Sequence, residues 1–99
     1  MKIKVQSIHF NADQKLIAFI EEKVNHLKHF YENIIDGEVF LRIDKNNHHE
    51  NKVTEIRLNT PGKTLFAKEQ CETFEKATGK TVEALKKQIT KHKEKKMGL

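Results

Sequence analysis

The sequence predicts an α+β two-layer sandwich. It has a four-stranded mixed sheet, the order β-α-β-β-β-α, and both helices on one face. Three observations predict it. Apolar residues alternate singly in four short stretches, the mark of half-buried strands. They recur at three- and four-residue spacing in two longer stretches, the mark of amphipathic helices. Finally, 99 residues with 36% hydrophobic content supply one modest core. Each helix then has only the sheet against which to bury its apolar stripe.

The first strand is "KIKVQSI", with Ile3 and Val5 facing one way and Lys4 and Gln6 the other. The period then changes in "NADQKLIAFIEEKVNHLKHF". Leu16, Ile20, Val24 and Leu27 form one helical stripe, widened by Ile17, Phe19 and Phe30. A helix is expected from about Ala12 to His29, with Asn11 as N-cap and Asp13 in its first turn. "YENIIDG" closes it and turns the chain.

"EVFLRID" is the second strand, with Val39, Leu41 and Ile43 inward and Glu38, Phe40, Arg42 and Asp44 outward. A polar loop, "KNNHHEN", leads to the third, "KVTEIRLNT", with Thr54, Ile56 and Leu58 toward the core. "TPGK" then reads as a type II turn. Pro61 fixes the first central dihedral and Gly62 accepts the positive φ required at the second. The fourth strand is "KTLFAKE", with Leu65 and Ala67 inward. The last helix starts near Thr73, with Phe74, Thr78, Val82, Leu85 and Ile89 as its stripe, and residues 96–99 are expected to fray. The crossover after the first strand makes strands one and two parallel, and the others form antiparallel hairpins. With no repeat and no linker, residues 1–99 read as a single domain.

Charge is distributed unevenly. Residues 1–75 hold 11 Lys/Arg against 12 Asp/Glu, whereas residues 76–99 hold 8 Lys against 2 Glu. The positive excess, +5 overall, thus resides in the final quarter. A basic segment on a near-neutral body suits a polyanion partner. Lysines near a helix C-terminus also suit the helix dipole, so a solvated helix end is the plainer alternative.

On a helical wheel Lys76, Lys80, Lys87 and Lys91 oppose the apolar stripe. Lys86 and Lys93 lie on one flank, and Lys95 and Lys96 extend the charge beyond the core. From Lys76 to Lys96 such a stripe would run ~30 Å. Only Glu83 and Glu94 interrupt it, which favours phosphates along an RNA backbone as its counterpart. A membrane surface fits poorly, because the helix's apolar side is needed for the core and no Trp or Tyr accompanies the lysines.

Other candidates carry less. His48 and His49 adjoin Glu50, but no further metal ligand is implied by spacing. His26 and His29 read as surface or boundary residues, and His92 adds a donor to the basic segment. Cys71, the only cysteine, precludes an internal disulfide and reads as structural. No phosphate-binding loop or nucleophile elbow is present, so nothing points to an enzyme or to a cofactor. There is no signal-peptide-like start and no membrane span, so a cytoplasmic protein is expected. Phe40 and Phe66 face away from the helices, near Arg42, Arg57 and Lys68. Base-stacking sheets use such arrangements. The element order is not that of the common four-stranded RNA-recognition module, however, and a hydrophobic cross-strand contact is the expected role.

Three segments together carry a family resemblance: "LIAFIEEKVNHLKHFY", "VTEIRLNTPGKTLFAKE" and "ALKKQITKHKEKK". The last contains Leu85, Gln88, Lys91 and Lys93 in an LxxQxxKxK arrangement. The chain resembles the short-form ribosome hibernation-promoting factors, also described as ribosome-associated inhibitors, over nearly its whole length. The resemblance implies the same β-α-β-β-β-α fold. It also implies binding to the small ribosomal subunit and its rRNA, in the channel used by messenger and transfer RNA, with translation blocked during stasis. It carries RNA contact onto Lys86, Lys87, Lys91 and Lys93, and onto Lys23 of "EEK".

The opening of the last helix, "ETFEKATGKTVEAL", departs from the family pattern: Thr73 and Gly79 stand near positions where relatives have acids. Long-form relatives add a C-terminal dimerisation domain, which a 99-residue chain has no room for. Any pairing of ribosomes would need another factor, and the protein is expected to be monomeric off the ribosome. A general double-stranded RNA-binding module and a protein-binding regulator of transcription remain the alternatives.

Overall fold

A computed structural model describes residues 1–45 and 49–96, except for the side chains of 95 and 96. The elements run β1 (Lys2–Ser7), α1 (Gln14–Asn25), a 3₁₀ turn (His26–His29), β2 (Asp36–Ile43), β3 (Lys52–Thr60), β4 (Lys63–Cys71) and α2 (Phe74–Lys96). The sheet order is β1-β2-β3-β4. β1 pairs parallel with β2, and the other two pairings are antiparallel. The predicted α+β fold and its mixed four-stranded sheet are therefore present.

The register aligns Val5, Val39, Ile56 and Ala67 across the four strands. Because side chains alternate between faces, Leu41, Leu58 and Leu65 share that side. One core cluster joins these residues to Ile20 and Val24 of α1 and to Val82, Leu85 and Ile89 of α2. The loop residues 46–48 and residues 97–99 lie outside the described residues, and with them the His48 reading and the expected fraying of the C-terminus.

Four local expectations are corrected. The N-cap of α1 is Asp13, whose carboxylate Oδ1 accepts a hydrogen bond from the Lys15 N–H at 2.9 Å; Asn11 lies before the helix. Asp13 thus satisfies one of the orphan donors of the first turn. Replacing it with Ala should cost about 1 kcal/mol in chemical denaturation, and no change would remove Asp13 from that role.

The first helix also ends earlier than periodicity implies. After Asn25 the chain tightens into the 3₁₀ turn, which keeps Leu27 fully buried. His and Asn are weak helix formers, so little opposes the tightening. That twist carries Phe30 off the apolar stripe, and it is 45% exposed. Ile43, at the end of β2, is likewise 43% exposed, outside the core cluster in which Leu41 is the last β2 residue.

The hairpin is as predicted. Gly62 has φ +78°, and the Thr60 hydroxyl donates to the Lys63 carbonyl at 2.8 Å. Gly79 is different. It sits inside α2, yet a Cβ added there would meet nothing within 4 Å. Close packing therefore does not account for this glycine. Gly79→Ala should stabilise the protein by up to ~1 kcal/mol by restricting the unfolded chain. A lower denaturation midpoint in the variant would contradict the open space seen here.

Candidate nucleic-acid interface

α2 is the platform. The Thr73 hydroxyl accepts from the Lys76 N–H at 3.1 Å and starts the helix. Glu75 in the first turn complements the dipole. The inner side buries all five predicted stripe residues, Phe74, Thr78, Val82, Leu85 and Ile89. Ala77 and Thr81 are buried with them. The buried hydroxyls are satisfied: Thr81 donates to the Ala77 carbonyl at 2.6 Å, and Thr54 and Thr78 lie 3.4 Å apart. The Thr54–Thr78 contact, with the Thr81 hydroxyl also 3.3 Å from the Thr54 carbonyl, ties α2 to β3 and so sets the direction of its lysines.

At the outer edge of β4 the Gln88 amide donates to the Phe66 carbonyl at 2.7 Å. Counting from the hairpin pair Thr60–Lys63, Phe66 sits opposite Arg57 at a non-hydrogen-bonded position. Its carbonyl therefore points out from the sheet, where Gln88 reaches it.

The outer side of α2 is divided. Lys76, Lys80, Lys87 and Lys91 are all exposed, as the wheel predicts. Lys76, however, is bound to Glu72, and the Lys76 ammonium holds the Glu72 carboxyl below the usual carboxylate range. That pairing is present at pH values above the ordinary Glu range and is lost only as pH falls through the lowered value, so it persists near neutrality.

Lys80 and Lys87 overlook an open depression of about 830 Å³ whose other walls include Glu50, Glu69, Glu72 and Glu83. No ion pair joins Lys80, Lys87 or Lys91 to a carboxylate among the described residues.

Lys86 and Lys93 turn toward the end of the first helix. The Lys86 ammonium lies 4.8 Å from the Phe30 ring centroid and 3.3 Å from the Glu83 carboxylate. Lys93 donates to the Phe30 carbonyl at 3.0 Å. Lys23 lies across from Lys86 in a groove between α1 and α2, lined also by Glu22, His26 and Glu83. Lys86 and Lys93 thus meet at one exposed aromatic, Phe30, whereas the Lys23 ammonium lies 5.6 Å from the Phe19 ring centroid. Sequence reasoning missed Phe30 because helical periodicity assigned it to the core.

Lys95 and Lys96 continue α2, and their side chains lie outside the described ones. His92 does not join the lysines; its ring meets Tyr31 edge-on at 5.5 Å.

Other candidates resolve simply. Cys71 is buried at the end of β4. His26 and His29 are exposed, with ring centroids 5.3 Å apart. Among the described residues no group of three or more His, Cys, Asp or Glu could hold a metal ion. None of the described helices is long and apolar enough to cross a membrane.

A family model described as "Sigma 54 modulation protein / S30EA ribosomal protein" matches residues 3–97. The chain belongs to that family. This bears out the resemblance to hibernation-promoting factors drawn from the three sequence segments. No curated protein matches the chain.

Two solved structures share the family member's fold. A ribosomal subunit interface protein from Coxiella burnetii superposes with a TM-score of 0.83 at 19% identity, covering 94% of this chain and 98% of that one. The N-terminal domain of Protein Y from Thermus thermophilus gives 0.79 at 18% identity, covering 93% and 99% respectively.

Proposed function

We propose that the protein is a ribosome-binding translation inhibitor that acts by occupancy, without catalysis. The sandwich fills the messenger and transfer RNA channel of the small subunit during stasis, and α2 lays its lysines along rRNA phosphates. One observation carries this reading: Lys87 and Lys91 are exposed and unpaired among the described residues, on a helix whose opposite side is fully packed. Family membership and a structural neighbour named for the ribosomal subunit interface support it.

The lysines are not equivalent in this reading. Lys76 is paired with Glu72 and Lys86 with Glu83, Lys80 and Lys87 border a depression with four carboxylates, and Lys91 has neither kind of neighbour among the described residues. Following the family resemblance, Lys86, Lys87, Lys91 and Lys93 carry most of the contact, with Lys23 across the groove and Lys95 and Lys96 extending it. Lys76→Ala should therefore weaken ribosome binding less than Lys87→Ala. The reverse ranking, read from pelleting assays at fixed salt, would move the contact to the start of α2. The primary test is co-sedimentation with purified ribosomes on sucrose gradients at two salt concentrations. Phosphate-driven binding weakens steeply as salt rises.

A second reading has its own support. The family description also names sigma 54 modulation, which fits a protein-binding regulator of transcription. Its partner would survive nuclease treatment, whereas an rRNA-mediated complex would not.

A further inference from the structure

The sheet face opposite the core is neither blank nor simply hydrophobic. Register places Phe40, Arg42, Glu55, Arg57, Phe66 and Lys68 together on it. Phe40 and Phe66 are joined through Arg57, whose guanidinium carbon lies 5.8 Å from each ring centroid. Arg42 lies 5.8 Å from the Phe40 ring.

Glu55 fixes both guanidinium groups. It is 8% exposed, accepts from Arg42 at 2.9 Å, and lies 3.8 Å from Arg57 Nε. Glu55, the one buried carboxylate among the described residues, is thus committed to two arginines. Phe66 remains 44% exposed, and the side chains of Arg42 and Arg57 remain 42% and 53% exposed.

The geometry points to a second nucleic-acid site on this face, one that takes unpaired bases of single-stranded RNA. Bases stack on the Phe66 ring and the Arg57 guanidinium, both held in place before any ligand arrives. Arg42 and Lys68 meet the flanking phosphates. Stacking of this kind accepts any base, because each has a π-face, and it excludes a duplex, whose bases are already stacked. The charge balance fits the occupant: in the strands of this face Lys2, Lys4, Arg42, Arg57 and Lys68 outnumber Asp36, Glu38 and Glu55. A second polar protein surface would not need the exposed ring.

This site is separate from the α2 lysines, and its test avoids the ribosome. Fluorescence anisotropy is measured with a labelled ten-nucleotide oligouridylate and with an RNA duplex of equal length. The starting protein carries Lys87→Glu and Lys91→Glu, so that the α2 contribution is removed.

The single strand should still bind, and more tightly than the duplex. Adding Phe66→Ala or Phe66→Leu should lower its affinity about tenfold, whereas Phe66→Tyr should retain it. The Leu variant keeps an apolar side chain and separates stacking from folding. Equal binding by all four proteins, or loss of single-strand binding on reversing the two lysines alone, would overturn the proposal. So would sedimentation equilibrium showing a homodimer that Phe66→Ala dissociates, because the face would then belong to a second copy.

Discussion

Reversing Lys87 and Lys91 to Glu should abolish co-sedimentation with ribosomes while leaving the fold intact. Each reversal removes two units of charge, taking the formal net charge from +5 to +1. Neither side chain is buried, and no ion pair joins either to a described carboxylate. The far-UV CD spectrum and melting temperature should therefore stay close to those of the parent. Binding should fall by roughly 100-fold, and the slope of log affinity against log salt should shrink by about two. The matched control reverses Lys15 and Lys63, which are exposed on other elements. If that control weakens binding as much, diffuse charge and not an ordered stripe is responsible.

The second large effect concerns what stands behind that stripe. Leu85 is fully buried in the common core, one residue before Lys86. Truncating it to Ala should cost about 2–5 kcal/mol through lost transfer energy and the cavity left behind. Total stability for such a domain is about 5–15 kcal/mol, so this is a large fraction. The melting temperature should drop by about 10 °C or more. Leu85→Met, which nearly conserves volume, should cost less than about 1.5 kcal/mol. A fall under about 3 °C for the Ala variant would mean that α2 is not held by this contact.

The strands, the hairpin turn and the apolar stripe of α2 were legible because each rests on a local pattern. Alternation and the Pro61–Gly62 pair need no knowledge of the rest of the chain. The misreadings occur where tertiary context decides. Asn11 and Asp13 are both good caps, and only the chain's exit from β1 selects between them. Phe30 fits the helical period but falls beyond the point where α1 tightens. Ile43 keeps its parity but falls outside the core cluster.

The candidate site was legible as a row of lysines and not as its division into two halves. Glu50, Glu69 and Glu72 precede α2 in sequence, and only folding brings them beside Lys76, Lys80 and Lys87. Nor does spacing reveal that Glu55 would hold two arginines on the opposite face.

The hydrogen bond from Gln88 to the Phe66 carbonyl has a consequence for solubility. β4 is an outer strand, and outer strands invite a neighbour's backbone to add to the sheet. With that carbonyl occupied by a helix side chain, an incoming strand meets a missing rung midway along the ladder. The amide in the LxxQxxKxK segment thereby discourages polymerisation, a service unrelated to the cations on either side of it.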